Sequence, residues 1–280
     1  MKPPEPVLVT HLFTDERAAL LDVLRSLDAE QWERPTVCAG WSVGDIARHL
    51  VADDLGRLAW QRDGNSASRF SSANAETFEV ELRDFINRQN EQWVETTRRL
   101  SSRIIIDLLA WSGRETQAHF ESLDPDAPGL GVAWAGESES ANWFDMAREY
   151  AERWHHQAQI REGTGVPLLT APRLFAPFLA TAVRGVPHTL SNVSADEGTH
   201  VRLRITGDAG GEWSLVRSDG RWVLVQSLDT DADATVEIGQ DAAWRLFTKG
   251  LTPQEAKESA RIEGDGRLAQ QVLQTVSIIA

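Results

Sequence analysis

Cysteine is all but missing from this chain: Cys38 is the one thiol in 280 residues. That excludes an internal disulfide framework and suits a reducing compartment. An excess of basic charge is missing too. Lys and Arg number 28 against 42 Asp and Glu, for a formal net charge of −14. Such a balance argues against a nucleic-acid groove and against docking on anionic lipid, since both need a basic surface. No apolar run approaches the roughly 20 residues of a membrane span. The opening "MKPPEPVLVTHLFTDER" lacks the apolar stretch of a secretory signal, so the expected compartment is cytoplasmic. Tyrosine occurs once against 11 tryptophans, eight of them before residue 160. For any single ring, helix packing is the plainer reading and a pocket wall the functional one.

What is present reads as an ordinary globular chain, 41% hydrophobic and 25% charged. Residues 9–27 carry Leu12, Ala19, Leu20, Val23, Leu24 and Leu27 at helical spacing. After a loop broken by Pro35 and Gly40, "SVGDIARHLVADDLGRLAWQ" opens on Ser42 with Asp45 three residues later, the pattern of a capping box, and its helix is expected to run to about Gln61. A polar loop of small residues, 62–76, leads into a long polar helix over 77–100. Ser101 and Ser102 are positioned to cap a further helix despite its internal Gly113. The segment holding "AERWHHQAQIREG" starts at Ser140 or Asn142 and stops near Gly163 and Gly165. The first half is thus a helical bundle. Near Val166 four prolines interrupt the pattern, which leaves a connection with one helix. Beyond His200 the period becomes two, in "VRLRIT", "EWSLVR", "RWVLVQ" and "ATVEIG", with an Asp-Gly turn at "SDG". Two helices, "QDAAWRLFTKG" and "DGRLAQQVLQTVS", complete a small α+β module.

Glu152 and His156 are four apart, which on a helix brings both side chains to one face within reach of one ion. His155 points about 100° away and does not easily join them. The apolar stripe of that helix is Trp143, Met146, Tyr150 and Trp154, and Glu152 and His156 lie nearly opposite it. The same spacing therefore also describes a solvated helix face. His49 falls beside Val43, Ile46 and Leu50 and so points inward, either as a core histidine or as a ligand. Taken together, His49 on an early helix and a Glu-x-x-x-His on a late one make three N/O ligands, the number that holds a catalytic zinc with an open position. Asp53 reads as a solvated acid or as an acceptor behind a ligand. Glu149 and Arg153 read as a helix-surface pair. Cys38 reads as a small structural residue, with nothing near it in sequence to depress its pKa.

The stretches "VCAGWSVGDIARHL" and "WFDMAREYAERWHHQAQIREGTG", in that order and about 100 residues apart, resemble the two histidine motifs of the actinobacterial mycothiol-dependent maleylpyruvate isomerase family. The resemblance implies a DinB-like four-helix metal-binding bundle over residues 1–165, a connection with one helix over 166–195, and a C-terminal α+β domain over 196–280. That last domain is sterol-carrier-like, with a mostly antiparallel sheet. It implies a divalent metal, zinc foremost, on His49, Glu152 and His156, with His155 outside the set.

The implied chemistry is thiol activation. A metal with an open position lowers a thiol's pKa, and the resemblance implies that the thiol is mycothiol, taken as cosubstrate with a small-molecule electrophile. In the isomerase the thiolate adds to the double bond of maleylpyruvate, the adduct rotates, and elimination gives the trans product. Where the family pattern has Gly-Arg, suited to gripping a dicarboxylate, this chain has "AAWRLFTKGL", which leaves Lys249 and Arg245 as the candidates for a substrate acid group. A thiol S-transferase needs no such grip and stays open. So does a non-catalytic protein that binds metal or a thiol conjugate, and a structural reading in which Glu152 and His156 are solvated. The expected assembly is a monomer or homodimer, with no nucleic-acid or membrane partner.

Overall fold

The computed structural model describes residues 1–65 and 78–278; the polar loop read over 62–76 lies outside them from residue 66 onward. Helices α1 (Phe13–Ser26), α2 (Ala29–Trp32), α3 (Val43–Arg57), α4 (Phe78–Thr97) and α5 (Ser102–Glu121) come first. A short hairpin, β1 (Pro128–Leu130) with β2 (Glu139–Ala141), leads into α6 (Asn142–Thr164), and α7 (Pro172–Ala182) and α8 (Val186–Thr189) follow. Strands β3 (His200–Thr206), β4 (Gly211–Ser218), β5 (Arg221–Gln226) and β6 (Ala234–Gly239) precede α9 (Gln240–Phe247) and α10 (Pro253–Ser259), and β7 (Ala260–Gly264) and α11 (Gly266–Val272) end the described fold. None of these helices is long and apolar enough to cross a membrane.

Two compact units divide the chain. The first comprises Met1–Leu8, Pro128–Ala151 and the chain from Thr170 onward; the second comprises Val9–Ala127 and Glu152–Leu169, so the division falls inside α6.

The α+β unit is built on one sheet of order β5-β4-β3-β6-β7. It is antiparallel except for the β3–β6 pair, in which Leu203 lies beside Val236 and Ile205 beside Ile238. Alternation sorts its faces. Val201, Leu203, Ile205, Val236 and Ile238 are buried, with α9 and α11 packed against β6, while Arg202, Arg204, Thr235, Glu237, Arg261 and Glu263 line the opposite, polar face. The β4–β5 turn has Asp219 at φ 52° and Gly220 at φ 71°, the two successive left-handed residues that a tight hairpin needs and Asp-Gly supplies.

The helical unit holds α1 to α5 and the part of α6 from Glu152. Ser42 accepts from Asp45 N and Asp45 from Ser42 N, so α3 starts in the capping box that the sequence implies. Its core gathers Leu20, Leu24, Trp32, Ile46, Leu50, Ile105, Leu109 and Ile160. Through this core runs one carboxylate. Asp54 of α3, fully buried, accepts two bonds from Arg17 of α1 (2.8 and 3.1 Å), one from Arg153 of α6 (2.8 Å) and one from Ser112 of α5 (2.6 Å). Gly113 sits where it does for the same reason: a Cβ there would come within 3.0 Å of the Arg17 stem. Arg153, 2% exposed, is therefore no partner in a surface pair, and Glu149 is buried and paired with Arg148 instead.

Burial alone would raise the Asp54 carboxyl, but Arg17 and Arg153 outweigh it and hold it below the usual carboxylate range. Its stabilisation is thus present at neutral pH, above the unfolded value of about 3.9, and is lost as pH falls through the depressed folded value. Asp54→Ala is expected to lower unfolding stability by about 3–5 kcal/mol, because two guanidiniums stay buried without their counter-charge. Urea unfolding at pH 7 and pH 2 checks this: the gap between variant and wild type should be larger at pH 7.

Candidate metal centre

Burial selects the residues first. His49 is 7% exposed, and the His156 and Glu152 side chains 12% and 21%. The face of α6 opposite its apolar stripe is therefore not a solvated one. His155 is 5% exposed, buried rather than turned out.

The two rings meet edge to face, with centroids 4.6 Å apart and planes at 82°, and they bring His49 Nε2 and His156 Nε2 to 3.1 Å. Asp53 Oδ2 lies 3.2 Å from the same His49 nitrogen. Donor atoms of His49, Asp53 and His156 all fall within 4.8 Å of one another. In a tetrahedral site with bonds of about 2.0–2.1 Å, ligand atoms sit about 3.3 Å apart, close to the two shorter separations here. Glu152 Oε2 is 3.9 Å from His156 Nε2 and is not among the three residues whose donor atoms converge. Asp53, its side chain 30% exposed, approaches the His49 nitrogen that faces the other histidine. The Trp41 ring, 5.2 Å from that of His49 between centroids, walls this side.

Protonation can be read from the bonding. His156 Nδ1 is 2.8 Å from Gln159 Oε1, an acceptor only, so the ring's proton is on Nδ1 and the Nε2 lone pair faces His49. Asp53 Oδ2, an acceptor, is 3.2 Å from His49 Nε2, which places that ring's proton on Nε2. Burial, reinforced by the neighbouring His49 and His155, pushes the His156 pKa well below 6.5, so the imidazole is neutral at pH 7 as a ligand must be.

Cys38, on the loop before α3, is hydrogen bonded to Gln159 and Thr36, and burial pushes its thiol pKa up. It is a protonated thiol at neutral pH, in keeping with a structural role. Arg245 and Lys249 belong to the α+β unit. The Arg245 guanidinium donates to Asp241 Oδ2 at 3.2 Å and lies 4.5 Å from the Trp244 ring centre. Lys249, at φ 62°, is the left-handed residue that ends α9, where Gly250 N donates back to Arg245 O. Asp53 was visible in the sequence through its offset of four from His49; Gln159 escaped the sequence reading, having only its place one turn beyond the paired histidines.

Residues 13–161 match the family described as the mycothiol maleylpyruvate isomerase N-terminal domain. No curated protein matches the chain in sequence. Among solved structures it is similar to a mycothiol-dependent maleylpyruvate isomerase, at 11% identity and a TM-score of 0.51 over 85% of this chain and 86% of that one. A mutant of the same name matches at 11% identity and a TM-score of 0.50, with the same coverage. At this identity the likeness is one of fold. The apo sterol carrier protein 2 of Yarrowia lipolytica aligns at 14% identity over 49% of this chain and 91% of its own, with a TM-score of 0.24.

Burial lowers His155 from 6.5 to about 4. A proton there favours the unfolded chain, so stability present above about pH 6.5 falls as pH drops toward 4, by on the order of 3 kcal/mol. In His155→Phe this part of the acid slope should vanish, which unfolding free energies measured between pH 7 and pH 4 will read. An unaltered slope would mean that His155 titrates normally.

Proposed function

The chain belongs to the mycothiol maleylpyruvate isomerase N-terminal domain family, and from that premise we propose that it is a metal-dependent enzyme that activates a low-molecular-weight thiol for addition to an electrophilic small molecule. The observation that carries this reading is the meeting of His49 Nε2, Asp53 Oδ2 and His156 Nε2 at one point. His49, His156 and Glu152, joined by Asp53, would hold a divalent ion, with zinc favoured by two imidazoles among the ligands. The ion's chemistry, when bound, would be to lower the pKa of a thiol and so supply a thiolate at neutral pH.

The chain's own residues do the rest. His156 is held neutral and offers its lone pair without first losing a proton. Trp41 packs beside His49 and limits the approach of water on that side, which strengthens electrostatic attraction at the site. No cysteine of the chain is needed as nucleophile, which suits the raised pKa of Cys38. Mycothiol is the proposed thiol because of the family. Among outcomes, cis–trans isomerisation of a maleylpyruvate-like acid would use Lys249 or Arg245 for the acid group. The pairing of Arg245 with Asp241 and Trp244 favours thiol S-transfer, which needs no guanidinium fork. A protein that binds a metal or a thiol conjugate without turnover is the alternative, and it would show metal but no thiol consumption.

Metal analysis of the purified protein by mass spectrometry tests the site. About one divalent ion per chain is expected, retained in His155→Ala and lost in His49→Ala and His156→Ala, with Glu152→Gln and Asp53→Asn each binding more weakly. Unchanged metal content across all of these variants, or no uptake by wild type after reconstitution, would sink the proposal.

A further inference from the structure

We propose that Gln159 is the positioning residue of this centre: its buried side-chain amide fixes the His156 tautomer that presents Nε2. The inference rests on the metal reading above, but its central claim concerns a proton position that exists with or without metal.

The geometry is local to α6 and follows from its pitch. Gln159 lies three residues after His156 and four after His155, so one side chain on the next turn reaches both rings. Its Oε1 is 2.8 Å from His156 Nδ1, and its Nε2 is 3.0 Å from His155 Nε2. The Cys38 thiol is also hydrogen bonded to Gln159. The residue is 5% exposed, so water does not compete for these bonds.

Direction matters, because an amide has one accepting and one donating end. The carbonyl end of Gln159 faces His156 Nδ1 and its NH2 end faces His155 Nε2. That carbonyl can only accept, so the His156 proton goes to Nδ1. A neutral histidine side chain in water favours the opposite tautomer, with the proton on Nε2. Gln159 thus reverses an intrinsic preference, and does so at the nitrogen that must be bare. His156 offers the lone pair, and Gln159 on the next turn holds the ring that offers it. Partners of this kind, bonded to the far nitrogen of a metal ligand, typically change metal affinity 10–100-fold when removed. Here the partner is a neutral amide instead of a carboxylate, so it orients the ring while adding no negative charge behind it.

The test compares Gln159→Met, which keeps the length and removes the amide, with Gln159→Glu, which keeps an acceptor facing Nδ1. Long-range 1H–15N correlation spectra of the metal-free protein report the His156 tautomer directly. Wild type and Gln159→Glu should show the proton on Nδ1, and Gln159→Met should show it shifted substantially to Nε2. Zinc affinity, measured by competition with a chromogenic chelator, should fall about 10–100-fold in Gln159→Met and by far less in Gln159→Glu. An unchanged tautomer in Gln159→Met overturns the inference, as does a loss in Gln159→Glu equal to that in Gln159→Met. Should wild type bind no zinc, the metal reading fails while the tautomer measurement still decides the role of Gln159. Should Gln159→Met not fold, an Nε2-protonated His156 in wild type or in Gln159→Glu overturns it equally.

Discussion

The geometry of the candidate metal centre depends on a buried carboxylate that is not part of it. Asp54 joins α1, α3, α5 and α6 through Arg17, Ser112 and Arg153. Each bond fixes the height of one helix against α3, and bidentate Arg–carboxylate pairing fixes angle as well as distance. Asp54 follows Asp53 in sequence, and Arg153 follows Glu152. The clamp between α3 and α6 is therefore made at the residues next to two carboxylates of the centre. A slip of one residue on either helix would turn those side chains by about 100° and part the 3.1 Å approach of the two histidine nitrogens. A second buried network lies further along α6, where Gln157 bonds Glu16 and Arg161 bonds Gln157. Apolar packing alone tolerates small slides; directional polar contacts of this kind fix the helices more sharply.

How much of this the sequence discloses depends on whether a feature is local. The capping box at Ser42 and the Asp219-Gly220 turn were legible because a few adjacent residues decide them. So were His49, through its helical face, and His156, through its spacing from Glu152 and the family resemblance. The separate fates of the two acids of "VADD" were not. Asp53 faces a histidine nitrogen and Asp54 is swallowed by two guanidiniums, and nothing in their order says which has which fate. A helical wheel assumes one buried face, which suits a helix with neighbours on one side; α6 is buried around most of its surface, so Arg153 and Glu149 were misread as a surface pair. Strand β7 escaped notice because only Ile262 gives it an apolar inner position, and β1 with β2 because three residues each are too few for a period.

The same clamp bears on the charge of the centre. Asp54 with Arg17 and Arg153 carries one positive charge in excess, buried beside α6. Arg153 is among the groups that push the His156 pKa down, after burial and the other two histidines. A positive network nearby thus helps to keep the imidazole free of a proton, which a ligand needs. It equally disfavours any other cation, and a divalent ion on two neutral imidazoles would gather like charge in a medium of low dielectric. The carboxylates of Asp53, 3.2 Å from His49 Nε2, and Glu152, 3.9 Å from His156 Nε2, would offset that charge in the proposed site. On this argument the mirrored offsets, His49 then Asp53 on α3 and Glu152 then His156 on α6, make one electrostatic unit in which neither carboxylate is redundant.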